Sequence, residues 1–140
     1  MYKKILLAAD GSENAKKASE HAIGLAASGE HAKLEIVYVI DGDKAKSDVL
    51  SNWNTADLGN KRKDRVSEIE KQAQESGINY EIKILHGEPG PAIVDYANKN
   101  QFDLVVIGSR GLNALQELVL GSVSHKVAKR ANCPVLIVKL

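Results

Sequence analysis

Two glycine-containing segments in the last third of the chain have the residue types and spacing of a phosphate site. The first is Gly108-Ser109-Arg110-Gly111, and nine residues later Gly121-Ser122-Val123-Ser124 opens a segment with helical spacing. Glycines at a strand end let backbone amides approach a ligand, and a helix start offers N–H groups and a positive dipole to an anion. The pattern predicts a phosphate-binding loop, with Arg110 as a charged fork and Ser122 and Ser124 as hydroxyl donors.

This spacing differs from two common nucleotide-binding signatures. The chain has no Gly-x-x-x-x-Gly-Lys-Ser/Thr segment, and no Gly-x-Gly-x-x-Gly segment follows its first apolar run. The sequence therefore argues against a P-loop NTPase and against a dehydrogenase that binds a dinucleotide through that second signature.

Five short strands separated by helices must position the glycine segments. Apolar, β-branched or alternating runs predict strands over residues 5–9, 34–40, 80–84, 103–108 and 134–138. Helical spacing predicts helices over 15–26 and 58–77, from Pro91 in a first turn, and from an N-cap at Ser122, with Val123, Val127, Ala128 and Ala131 facing inward. Residues 41–57, which include Trp53, show no clear period and are predicted to form a loop.

The alternation of strands and helices predicts an open α/β sheet. Right-handed crossovers make such a sheet mainly parallel, with helices on both faces. The first and fourth runs have no internal charge and are predicted to be central, whereas Glu81 and Lys83 interrupt the third, which is predicted to be an edge with one wet face. The resulting order is 3-2-1-4-5, and its switch point, where ligands bind such sheets, lies beyond Asp10 and Gly108.

Length and composition favour one small domain over residues 1–140. Aromatic residues make up 4% of the chain and the net charge is +1, which argues against base stacking and against a nucleic-acid partner. The lone Cys133 excludes an internal disulfide and suits a reducing compartment. No apolar run approaches membrane-spanning length, so we expect a cytoplasmic protein without a membrane partner.

The histidines and the lone cysteine suggest neither a metal site nor a catalytic residue. The histidines are scattered without ligand spacing. Cys133 enters an apolar strand and is interpreted as a small buried hydrophobe. Asp10 has two open interpretations, an Asx turn before the first helix or a contact with ligand or metal.

At the glycine segments the sequence resembles the universal stress protein family, whose ATP-binding members carry Gly-x2-Gly-x9-Gly-Ser/Thr near the C-terminus. The resemblance extends over the whole chain, at Tyr2–Ser12, Val37–Asp41, Asp103–Gly111 and Cys133–Val138. It implies a Rossmann-like fold of the adenine nucleotide alpha hydrolase-like type. It also implies that the nucleotide lies at Asp10 and the backbone near Ala8, with adenine at Val39 and the ribose and phosphates at Gly108, Arg110, Gly111, Gly121, Ser122, Val123 and Ser124. Ala8 is a departure, because some ATP-binding relatives have proline there.

The resemblance implies an ATP-binding module that regulates or senses stress, with Mg2+ or Mn2+ accompanying the triphosphate and an unidentified protein partner. No candidate general base and no P-loop lysine is identifiable beside the glycines, so we expect at most slow hydrolysis. Two alternatives stay open. One is a nucleotidyl- or phosphoryl-transfer enzyme on a related α/β fold, and the other is an interaction protein that binds no nucleotide.

The fifth strand predicts a homodimer. Val135–Val138 is uncharged although the strand order places it at an edge, where Pro134 and Lys139 only bracket it. Antiparallel pairing with a second copy would cover this edge, and the resembled family often dimerises in this way.

Overall fold

The protein, seen in a computed structural model that describes residues 2–9, 13–40, 60–109 and 121–139, alternates strands with helices. In chain order the elements are β1 (Lys4–Ala9), α1 (Glu13–Ser28), β2 (Lys33–Ile40), α2 (Asn60–Glu75), β3 (Asn79–His86), α3 (Pro89–Lys99), β4 (Leu104–Gly108), α4 (Ser122–Arg130) and β5 (Val135–Val138). The predicted loop over 41–57 lies outside the described residues.

The strands form one parallel sheet in the order β3-β2-β1-β4-β5, which confirms the predicted fold class and topology. β1 is central, and its Ile5 is in register with Leu34 on one side and Leu104 on the other. Ile5, Leu6 and Leu7 are fully buried, as expected for a strand that helices cover on both faces.

Two hydrophobic clusters hold helices to the two faces of the sheet. One contains Ile5 and Leu7 with Ala22 of α1 and Ile69 of α2. The other contains Leu6 and Val105 with Ile93 of α3 and Val127 of α4. Because side chains alternate along a strand, neighbouring residues of β1 supply both clusters. The helices α3 and α4 therefore share one face of the sheet.

Two predictions about exposure are wrong. Ala128, expected to face inward, is exposed on α4, because alanine is compatible with either face of a helix. β3 is an edge as predicted, but its residues Tyr80–Leu85 are half-buried on both faces. The Tyr80 hydroxyl donates to Glu70 of α2 at 3.1 Å, and on the other face Glu81 pairs with Lys33 at 2.8 Å.

A buried carboxylate connects β2 to α3. Glu35 is 5% exposed and accepts a hydrogen bond from the hydroxyl of Tyr96. Burial, reinforced by this bond, raises the pKa of Tyr96 well above its ordinary value, so the phenol stays protonated and keeps donating. This contact holds α3 against the sheet.

None of the four helices in the described ranges is long and apolar enough to cross a membrane.

Candidate functional site

The carboxyl ends of β1, β2 and β4 lie side by side at one edge of the sheet. Ala8 is in register with Val37 of β2 and Ile107 of β4. Gly108, the last residue of β4, is in register with Val138 of β5. The chain reverses its direction of winding between β1 and β4, so this edge is the switch point where open α/β sheets bind ligands.

Three residues of the predicted site belong to the same hydrophobic cluster. Ala8 is part of its buried core, and Val39 and Val123 are partly buried and pack against it. They come from β1, β2 and α4, which are far apart in the sequence. The cluster therefore brings the residues expected near adenine and near phosphate to one face of the sheet.

The start of α4 is the feature with the clearest chemistry. Its N-cap is Gly121, in an extended conformation, rather than the predicted Ser122, and no described side chain caps it. The first helical hydrogen bond runs from the His125 N–H to the Gly121 carbonyl at 2.9 Å. The N–H groups of Ser122, Val123 and Ser124 precede that bond and have no partner within the helix. With no acidic residue in the first turn, they form an anion-binding set of donors.

The side chain of Ser124 stabilises this turn. Its side chain is buried, at 2% exposure, and its Oγ donates to the Gly121 carbonyl at 3.1 Å. The hydroxyl proton is thus directed at the loop, whereas the backbone N–H of the same residue belongs to the first turn. A direct contact between this hydroxyl and a phosphate would require the bond to Gly121 to be exchanged.

The start of α3 lies at the same edge but has different chemistry. Pro89 and Pro91 stand in its first turn and have no N–H to donate. The N-cap is Glu88, whose side chain makes no capping hydrogen bond and carries a negative charge. An anion would find fewer donors and a repelling carboxylate here, so α4 is the better anion site.

The run 87–91, Gly-Glu-Pro-Gly-Pro, forms the turn into α3, and only its Pro91 was predicted, as a residue of the first helical turn. Gly87 has a φ of 127°, a conformation that favours glycine, and its N–H donates to the Ile40 carbonyl at 2.9 Å. Gly90 is buried beside α4. The signal available in the sequence was the density of glycine and proline, which indicates a constrained turn.

The other residues of the predicted site lie, entirely or with their side chains, outside the described part of the structure. Asp10, Arg110 and Gly111 are outside the described residues, and of Ser122 only the helical backbone is described. Their roles at the nucleotide stay predictions.

The remaining reactive groups of the described residues supply no competing chemistry. Burial raises the pKa of the Cys133 thiol, so it stays protonated and is a poor nucleophile. The described ranges contain no group of three or more His, Cys, Asp or Glu side chains able to hold a metal ion. Among the described residues of this edge, the backbone amides at the start of α4 are therefore the groups best suited to binding an anion.

Comparisons with known proteins agree with this architecture. The model of the universal stress protein family matches residues 1–139. Universal stress protein MJ0531 of Methanocaldococcus jannaschii is 34% identical over 142 residues, covering 99% of this chain and 83% of the relative. The solved structure of MJ0577 from the same organism is 33% identical, with a TM-score of 0.80 and coverage of 100% and 97%. A universal stress protein solved in complex with cAMP is 27% identical, with a TM-score of 0.68 and coverage of 99% and 97%.

Proposed function

The chain belongs to the universal stress protein family, and we propose that it is an ATP-binding regulatory module of the stress response. The observation that carries this proposal is the first turn of α4 after Gly121, which no described side chain caps and which lies at the switch point of the sheet. Its amides suit phosphate oxygens, and the apolar residues Ala8 and Val39 on the same face suit adenine. The relative in complex with cAMP supports an adenine nucleotide as the ligand class.

Mg2+ or Mn2+ would accompany the triphosphate and neutralise part of its charge. The donors at α4 are N–H groups, which bind the phosphates and not the cation. Mg2+ commonly keeps several waters and binds through phosphate oxygens with one or two carboxylates. We propose Asp10, which directly follows β1 in the sequence, as such a carboxylate. The described residues hold no group of three or more potential metal ligands.

We infer that the module signals through the bound nucleotide and that turnover is slow. Amides at a helix start stabilise charge, but rapid phosphoryl transfer also needs a group that positions or deprotonates the nucleophile. The expected turnover lies well below the roughly 1–100 per second of kinases. A phosphate-release assay on contaminant-free protein measures it, and turnover in the kinase range would favour a transfer enzyme instead.

We also propose that two copies pair through β5. This strand is at an edge of the sheet, and its residues Val135, Leu136 and Ile137 are only half-buried. Its inner side already bonds to β4, since the Ser109 N–H donates to the Val138 carbonyl at 2.9 Å. The outer row of backbone groups would be satisfied by the same strand of a second copy. Light scattering at micromolar concentration tests this, because the mass of one chain would reject the dimer.

The cell compartment proposed for this module is the cytoplasm. The chain has one cysteine, Cys133, which is half-buried and cannot form an internal disulfide. The fold therefore needs no oxidising environment, which is compatible with the reducing cytoplasm.

The test of the nucleotide proposal is to identify what the protein binds. Mass spectrometry of the nucleotide released by denaturing the purified protein is combined with calorimetric titration of ATP and Mg2+, with cAMP and AMP as competitors. We expect an adenine nucleotide in the first measurement and saturable ATP binding in the second. Absence of ATP binding at millimolar concentration by folded protein would contradict the proposal.

A further inference from the structure

The first turn of α3 packs directly on α4 at a single glycine. Gly90 is buried, and a Cβ atom added to it would lie 3.0 Å from Cδ, 3.3 Å from Cβ and 3.7 Å from Cγ of Lys126. Two of these distances are shorter than ordinary carbon contacts. The aliphatic stem of Lys126 therefore occupies the space that a side chain at position 90 would take.

Lys126 connects this contact to the phosphate site. It lies one turn after Ser122 on the same face of α4, and side chains on a helix point back toward its N-terminus. The contact at Gly90 therefore affects the position of the first turn of α4, whose amides face the proposed phosphates. A shift of the α4 backbone that relieves the contact between Lys126 and position 90 would carry these amides with it, because the first turn is continuous with the rest of the helix.

The ion pair at the end of this lysine contributes little to the arrangement. Lys126 Nζ lies 3.4 Å from Glu88 Oε1, and the two side chains are 40% and 68% exposed. Such exposed pairs are weak and are screened by salt. At this end of the two helices, close packing of the stem against the glycine therefore contributes more than the charge to the distance between them.

We propose that Gly90 is a positioning residue for the phosphate site: the absence of its side chain sets how closely α4 approaches α3, and so where the first-turn amides stand. The inference rests on the proposed nucleotide binding. Binding groups must be held to within about 0.5 Å of their productive positions. A Cβ atom at position 90 requires Lys126 to yield by a few tenths of an ångström, and the two methyl groups of valine require more. A displacement of α4 comparable with that tolerance weakens the phosphate contacts more than the fold.

The test is a double-mutant cycle with Gly90→Val and Lys126→Ala. Gly90→Val introduces a steric clash with the stem of Lys126. Lys126→Ala removes Cγ and Cδ, the two outer stem atoms near a side chain at position 90. Valine before Pro91 is also strained in a helix, but this strain is equal in both backgrounds and cancels in the cycle. Gly24→Val is the matched control, because Gly24 is an exposed glycine inside α1 and nothing lies within 4 Å of a Cβ added there.

Two readouts are measured on each variant. We expect Gly90→Val to lower ATP affinity about tenfold, equivalent to one charge-assisted hydrogen bond. In the Lys126→Ala background the loss shrinks to about twofold or threefold, which is the positive coupling expected of residues in contact. In the nucleotide-free protein, the NMR amide signals of Ser122, Val123 and Ser124 move in Gly90→Val and stay in place in Gly24→Val.

The outcomes separate this inference from the proposed function. Equal losses of affinity in both Lys126 backgrounds, or unmoved amide signals in a folded Gly90→Val, overturn the positioning role while ATP binding by the wild type stands. A wild type that binds no ATP overturns the proposed function, and the amide signals then still decide whether Gly90 positions α4. If Gly90→Val does not fold, Gly90→Ala is measured in the same cycle, with a smaller coupling of the same sign required.

Discussion

The starts of α3 and α4 lie at the same edge of the sheet, yet only one of them is built to bind an anion. α4 begins after Gly121 with three consecutive N–H groups and no acidic residue in its first turn. α3 begins after Glu88 with prolines at two of its first three positions. A helix dipole at a switch point is therefore not enough to bind an anion, because the N–H donors and the N-cap residue decide whether the anion is bound.

The largest effect is expected from giving α4 the acidic cap of α3. Gly121→Asp introduces a carboxylate that accepts hydrogen bonds from the first-turn N–H groups and repels phosphate. ATP affinity should therefore fall on the order of 100-fold, a loss of about 3 kcal/mol in binding free energy. Gly121 is already extended, so aspartate fits there and the free energy of unfolding should rise slightly. Calorimetry and chemical unfolding measure the two quantities.

Gly121→Asn is the matched control for that change, because asparagine caps the same amides without the charge. We expect its affinity to lie between those of the wild type and Gly121→Asp. Unchanged ATP binding by a folded Gly121→Asp would remove α4 from the site.

The second prediction concerns the structural role of α3. Tyr96→Phe leaves the buried Glu35 carboxylate without its hydroxyl partner and should lower the free energy of unfolding by about 2 kcal/mol, with ATP affinity unchanged. The control is Tyr80→Phe, whose hydroxyl bonds to the less buried Glu70 and should matter less. Urea unfolding followed by circular dichroism compares them, and equal losses would show that burial of Glu35 is unimportant.

The same pair predicts a dependence of stability on alkaline pH. The pKa of Tyr96 is raised in the folded protein, so its contribution to stability is complete below the ordinary value of 10.0 and declines as the pH rises beyond it. Wild type should therefore lose more stability above pH 10.0 than Tyr96→Phe does. Parallel curves for the two proteins in urea unfolding at graded pH would contradict the assignment.

A smaller effect is expected from giving α4 a proline of the kind found in α3. Ser122→Pro removes one N–H at the first helical position, where proline is tolerated, and Gly121 already has the extended backbone that proline requires before it. ATP affinity should fall about tenfold, the equivalent of one hydrogen bond to a charged group. Ser122→Ala separates the hydroxyl from the amide, and an equal loss in both variants would assign the contact to the side chain.

The smallest effect is expected at the ion pair between the two helices. Glu88→Gln should change the free energy of unfolding by no more than about 0.5 kcal/mol, because both partners are exposed. Thermal unfolding at low and high salt measures it. A larger change that disappears in salt would show that charge, rather than packing at Gly90, holds α3 and α4 together.

The topology was predictable because charge and burial follow strand position. β1 is fully buried at Ile5, Leu6 and Leu7, and the absence of charge there already indicated a central strand. The Glu81–Lys83 alternation likewise indicated the edge at β3. Such patterns reflect solvent exposure, which is a local property of the sequence.

Details that depend on contacts between distant elements were not predictable. Serine is preferred over glycine as an N-cap, so local preference chose Ser122 where the structure has Gly121. The meeting of Gly90 with Lys126 depends on how two helices cross, and no sequence pattern specifies that distance. Helical spacing likewise predicted an inward Ala128, which packing leaves exposed.

The most direct test of the central claim is an NMR titration of the nucleotide-free protein with ATP and Mg2+. We expect the backbone amides of Ser122, Val123 and Ser124 to shift most and to saturate, while those of Gly90 and Ala92 at the start of α3 respond far less. Saturating shifts at α3 with unmoved amides at α4 would contradict it.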